Sequence, residues 1–235
     1  MAKKNKEISS SNLIKVKPIT EGQKSVFETW KQGKNQFLFG CAGTGKTFVS
    51  LYLAMQDVLD LKTKYDKVIL VRSLIPTREI GFLPGDEEDK AALYQVPYQN
   101  MVKFMFEQPN EQAFNMLYDR LKNQGSLYFL STSFLRGLTF DNSIIIVDEC
   151  QNLNFHELDT ITTRVGQDSK IIFCGDFSQT DLLKQNERNG LHDFLRILME
   201  MQEFNCVEFN IGDIVRSGFV RNYLIQKTKL GMGME

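Results

Sequence analysis

The chain has 235 residues, with 28 Lys and Arg against 29 Asp and Glu, and a formal net charge of −1. Near neutrality excludes a polyanion binder that works by bulk basicity, because phosphate affinity comes from clustered Lys and Arg, and it leaves a local patch. No run of about 18 apolar residues exists, so no membrane span is expected, and the opening MAKKNKEISSSN lacks the apolar core of a secretory signal.

Residues 1–12 are polar and rich in Lys and Ser, which reads as a disordered tail ahead of one domain over 13–235. Thr20-Glu21 marks a helix start, with Val26, Phe27 and Trp30 on one face. Residues 36–39 (QFLF) predict a strand, and 48–59 carry apolar residues at helical spacing. Further strands are predicted at 67–71 (KVILV), 143–147 (SIIIV), 170–174 (KIIFC) and 206–209. Continuous β-branched runs indicate strands buried on both faces. Alternation with helices then predicts an α/β fold, a mostly parallel sheet with helices on both sides. Residues 77–125 break the rhythm with Pro84-Gly85, an acidic cluster at 86–89, and helical periodicity around 98–106 and 111–121. They read as a helical insertion between two strands. Cys41, Cys150, Cys174 and Cys206 form no C-x-x-C pair, so they are expected to be buried, reduced thiols of a cytoplasmic protein rather than zinc ligands.

Gly40, Cys41, Ala42, Gly43, Thr44, Gly45, Lys46 and Thr47 match G-x-x-x-x-G-K-[ST] in full, after a predicted strand and at the start of a predicted helix. Glycines let the backbone wrap phosphates, and N–H groups at a helix N-terminus supply positive potential. Lys46 is expected to reach the β and γ phosphates, and Thr47 to hold Mg²⁺. The strand at 143–147 ends in Asp148-Glu149. The first carboxylate suits Mg²⁺ through its water shell, and the second suits the general base that deprotonates an attacking water. Residues 175–179 (GDFSQ) follow another strand. There Gln179 is either an amide that reads the γ phosphate or part of an ordinary turn.

Three motifs in this order, 40–47, 146–152 (IVDECQN) and 175–182 (GDFSQTDL), resemble the PhoH-like proteins, P-loop ATPases related to helicase superfamily 1. Residues 81–86 (GFLPGD), 134–139 (FLRGLT), 163–166 (TRVG) and 213–217 (DIVRS) strengthen the resemblance, which runs from about 19 to 224. It implies a RecA-like P-loop domain that takes ATP and Mg²⁺, with Lys46 and Thr47 on phosphate and metal. Asp148 would be the metal carboxylate, Glu149 the base and Gln179 the γ-phosphate sensor. By the same resemblance Gln23 corresponds to an adenine-reading glutamine. Arg216 and Arg164 correspond to arginines that stabilise transition-state charge, with plain surface arginines as the other reading.

Cys41 stands where the family usually has Pro, at a position that contributes backbone. Arg72-Ser73 replaces a usual Arg-Pro, and the segment after it is shortened. Members with a fused nuclease domain have been viewed as RNA helicases; this sequence is expected to hold the motor portion alone, a compact form common in bacteriophages. One motor domain lacks the second domain that supplies an arginine in superfamily 1. A homo-oligomer, such as a six-membered ring, is therefore expected to complete each site. Arg72, Arg78, Lys90, Lys103 and Arg136 are candidates for single-stranded RNA or DNA, although a solvated helix face explains most of them equally well. A nucleotide-dependent switch with negligible turnover is the second reading; it has no need of Glu149. A small-molecule kinase is the third, and Asp148-Glu149 suits water attack better.

Overall fold

The computed structural model describes residues 6–73, 87–132, 135, 137–176 and 190–230, with side chains at all of these except 87–92 and 228. The Thr20 side chain accepts from the Gln23 amide and starts α1 (Glu21–Trp30), as the Thr-Glu pair predicts. β1 (Asn35–Gly40) leads into α2 (Lys46–Leu59), and β2 (Lys67–Arg72) follows. Next come α3 (Glu87–Phe106), α4 (Glu111–Asn123), β3 (Leu127–Ser131) and β4 (Ser143–Val147). The last elements are α5 (Phe155–Thr162), β5 (Lys170–Gly175), α6 (Leu191–Glu200), β6 (Phe204–Phe209) and α7 (Gly218–Lys229).

The sheet runs β3-β2-β4-β5-β1-β6, and each neighbouring pair is parallel. Val68, Leu70, Ile144, Ile146 and Ile172 face α1 to α4 on one side. Ile69, Val71, Ile145, Val147 and Phe173 face α5 and α6 on the other. Both central strands, β4 and β5, are buried along their whole length, which is why their β-branched runs do not alternate with polar residues.

Two expectations are corrected. Within the segment read as a disordered tail, Ser10–Asn12 form a 3-10 turn, Ile8 is buried, and Lys6 Nζ donates to the Val58 and Asp66 carbonyls at 2.7 Å each. A polar composition conceals one apolar side chain that finds a seat; residues 1–5 lie outside the described residues. The segment 77–125, read as helical between two strands, carries α3 and α4, and they belong to the crossover that parallel neighbours β2 and β3 require; residues 77–86 lie outside the described residues. β3 itself escaped sequence reading because LYFLS holds no β-branched residue and Tyr128 is exposed on this edge strand. Cys150 and Cys174 are buried, but Cys206 is exposed, on β6, the other edge strand.

A lysine is buried at the opposite edge of the sheet from the strand C-termini. Lys170 is 2% exposed, with Nζ 4.1 Å from the centre of the Trp30 ring and 5.7 Å from that of Tyr65. Burial lowers its pKa from 10.5 to about 8, against the pull of Asp57. Between those values the folded chain holds fewer protons than the unfolded chain, so the Lys170 contribution to stability rises with pH across that window. Below about pH 8 the full penalty of a buried charge applies. Lys170→Met is expected to remove this dependence. Denaturant midpoints of both proteins, measured from about pH 8 to about pH 10, should shift relative to each other in favour of the wild type as pH rises. A constant difference would refute the assignment.

Candidate nucleotide site

The strand order brings distant motifs to one edge. β4, β5 and β1 are adjacent, so their C-terminal ends present Asp148, Asp176 and the loop 40–47 side by side. Gly40 leaves β1 at φ +118, and a Cβ there would meet the Phe209 carbonyl oxygen at 2.1 Å. Only glycine permits that approach to β6. The Cys41 amide then donates to Phe209 O at 2.8 Å, and Gly45 at φ +86 turns the chain into α2.

Lys46 is 5% exposed. Its Nζ donates to the carbonyls of Gly40 (3.2 Å) and Cys41 (2.8 Å) and pairs with Asp176 Oδ1 at 2.7 Å. Cys41 thus takes part through its backbone, and Thr44 Oγ1 also bonds its carbonyl at 3.0 Å. Thr44 is fully buried. The Lys46 ammonium is held inside the loop by four acceptors, the two carbonyls, the Thr44 hydroxyl at 3.4 Å and Asp176.

Asp148 is buried, and Thr47 Oγ1 donates to its Oδ1 at 2.7 Å across 101 residues of sequence. Tyr98 donates to its Oδ2 at 2.7 Å. Glu149 follows at φ 53, ψ 42, a left-handed conformation that a non-glycine residue adopts at a cost of about 1 kcal/mol or more. Gln151 Nε2 donates to Glu149 Oε2 at 2.5 Å while its Oε1 accepts from the Asp176 amide at 3.1 Å. Burial raises the Glu149 pKa, and the charges of Asp148 and Asp176 add to the rise; Gln151 and Arg72 oppose it. Among the described residues no three His, Cys, Asp or Glu side chains converge on one cation. Mg²⁺ does not need such a cage, since it keeps its waters and uses one or two carboxylates plus substrate phosphates. The hard oxygens of Thr47 and Asp148, already in contact, fit it.

The other predicted residues divide. Gln23 is buried against the loop, with Nε2 donating to Thr44 O at 3.1 Å and Oε1 accepting from the Ile19 amide at 3.0 Å. One end of its amide thus holds the loop, and the other holds the chain that enters α1. Asp213 accepts from the Gly22 amide at 2.8 Å and ties the same helix to the turn that precedes Arg216. Arg216 is exposed and lies over Gly43 of its own chain, where a glycine Cβ would meet its Cγ at 2.9 Å. Together with Ala42, Gly43, Val215, Ser217, Val220 and Leu224 it lines an open cavity of about 600 Å³.

Arg164 is not brought to the loop. It follows α5, which returns to the N-terminal edge of the sheet, and its guanidinium donates to Leu138 O at 3.4 Å and Thr163 Oγ1 at 3.3 Å. Gln179 lies outside the described residues, as do Arg78, Arg136 and the 81–86 motif. The Lys90 side chain is also outside them. Of the remaining polyanion candidates, Lys103 pairs with Glu111, and Arg72 lies 5.6 Å from the Tyr94 ring centre. Sequence reading passed over Tyr98, Gln151 and Asp176 as contact residues. Gln151 and Asp176 stood inside motifs, whereas Tyr98 gave only the signal of an apolar helix face.

A family model described as PhoH-like protein matches residues 15–226. A PhoH-like protein of Synechocystis is 33% identical over 186 residues, which is 79% of this chain and 54% of that protein. Protein PhoH of Escherichia coli is 32% identical over 190 residues, 80% of this chain and 51% of that protein. Protein PhoH2 of Bacillus subtilis is 35% identical over 145 residues, 61% of this chain and 32% of that protein. The chain thus spans between about a third and about half of the length of these relatives. Among solved structures, the large terminase of a thermophilic bacteriophage superposes with a TM-score of 0.51 at 13% identity, over 88% of this chain and 50% of that one. That likeness extends to the α/β P-loop NTPase fold.

Proposed function

The chain belongs to the PhoH-like protein family, and from that premise we propose that it hydrolyses ATP with Mg²⁺, coupled to single-stranded RNA or DNA as a helicase-like or translocase-like motor. The observation that carries the reading is the Thr47–Asp148 contact, which joins the phosphate loop to the acidic strand end and leaves Glu149 beside it. Thr47 and Asp148 would hold Mg²⁺, which supplies charge neutralisation on the phosphates. Lys46 binds the phosphate that displaces Asp176. Glu149 takes a proton from water, and Gln151 keeps its carboxylate in place. Gln23 holds the loop and, in the family's pattern, faces the base; Gln179 is assigned the γ phosphate on resemblance alone.

Arg216 stands over the loop of its own chain, so this reading places it in cis on the phosphates. The oligomer rests on a different observation. Phe219, Tyr223 and Leu230 are 83%, 60% and 66% exposed at helical spacing along and just past α7. Such a stripe beside the site suits a neighbouring copy in a ring. With Arg216 in cis, mixing Arg216→Ala with Lys46→Ala subunits is expected to restore no hydrolysis. Recovery at any ratio would show that the site is shared. Turnover with and without single-stranded RNA and DNA, beside a solution mass, tests the whole reading. Stimulation several-fold by one polymer is expected, and no stimulation by either would overturn the motor.

A further inference from the structure

Tyr98 lies on α3, within the crossover between β2 and β3, and is 2% exposed. Its ring packs against Phe129 of β3, 5.7 Å between centres, in the same buried cluster as Val102 and Met105. The ring position is therefore set by the core, and the hydroxyl is delivered to a carboxylate to which it donates. That acceptor is Asp148 Oδ2, at 2.7 Å. Thr47 occupies the other carboxylate oxygen at the same distance, and the Asp148 amide donates to Val71 O at 3.0 Å. Both oxygens of the carboxylate are thus tied, one from α2 and one from α3. Arg72 is a second hydrogen-bond partner of this hydroxyl.

We propose that Tyr98 is a positioning residue for the metal carboxylate, holding Asp148 in one orientation so that Thr47 and Asp148 together accept Mg²⁺–nucleotide. The inference rests on the ATPase reading above and adds the helical crossover to the residues that set metal affinity. A carboxylate anchored at one oxygen only is free to rotate, and the loss of such outer contacts characteristically weakens metal binding by about 10- to 100-fold.

Tyr98→Phe removes the hydroxyl and keeps the ring. Mn²⁺ binding, followed by electron paramagnetic resonance in the presence of a non-hydrolysable ATP analogue, is expected to weaken about tenfold. The Mg²⁺ concentration for half-maximal turnover should rise in parallel, with turnover near wild type at saturating Mg²⁺. Tyr118→Phe serves as the control: the hydroxyl of this buried tyrosine of α4 is partnered by Gln99 rather than by Asp148, and its loss should leave Mn²⁺ affinity unchanged. A thermal melt without metal, on each variant, separates weakened packing from weakened metal binding. Equal Mn²⁺ affinity in wild type and Tyr98→Phe overturns the assignment, as does an equal loss in Tyr118→Phe. A wild type that binds no Mn²⁺–nucleotide overturns the ATPase reading, and the inference with it.

Discussion

Glu149→Gln is expected to lower ATP turnover about a thousandfold and to leave nucleotide binding intact. The amide keeps the shape of the side chain and the bond to Gln151, and removes only the ability to take a proton from water. The electrostatics of the position add a pH signature. The carboxyl pKa is raised by burial first and by Asp148 and Asp176 next, so the acid limb of the turnover profile should lie above the ordinary Glu value of 4.5. The same shift has a stability consequence of definite sign. A carboxyl whose folded pKa exceeds its unfolded one contributes most at low pH and loses that contribution as pH rises through the folded value. At neutral pH the charged Glu149 is therefore a cost to the fold, and it comes on top of a left-handed backbone. The glutamine variant should melt higher than the wild type at neutral pH while being nearly inactive. Steady-state turnover, retention of bound ATP on a filter and a thermal melt check the three parts. Turnover within about tenfold of wild type would place the base elsewhere.

Lys46→Ala is the second large effect, again about a thousandfold in turnover, accompanied by loss of measurable nucleotide binding. The physical argument starts from burial. An ammonium that is 5% exposed needs acceptors, and here they are two loop carbonyls, the Thr44 hydroxyl and Asp176. The carbonyls remain when phosphate arrives; Asp176, whose side chain is 38% exposed, is the partner free to leave. Alanine removes the cation that phosphate would neutralise and leaves three carboxylates, Asp148, Glu149 and Asp176, near the anion. Titration calorimetry with ADP and with the ATP analogue, alongside turnover, distinguishes outcomes. Retained affinity would mean that the loop amides alone hold the phosphates.

Much of this site is legible in the amino-acid sequence because its chemistry is local. Gly40 and Gly45 are demanded by backbone approach and by a positive φ, and Lys46 and Thr47 follow at fixed offsets on the first turn of α2. The strands at 143–147 and 170–175 announce themselves because both faces are covered, so every position is apolar or nearly so. β3 is illegible for the opposite reason: an edge strand of five residues shares its burden with solvent and has no need of β-branched side chains. Ile8 belongs to the same class, since its burial depends on a seat formed by residues far along the chain.

Contiguous residues and their backbone requirements suffice to establish a phosphate loop, an acidic strand end and a parallel α/β sheet. Which of these groups touch is a matter of tertiary packing. The order β4-β5-β1 sets Asp176 on Lys46 and Asp148 on Thr47. The crossover carries Tyr98 to Asp148, and the return of α5 takes Arg164 away from the loop. Strand order and helix direction arise from the packing of the whole core, and no short window of residues encodes them.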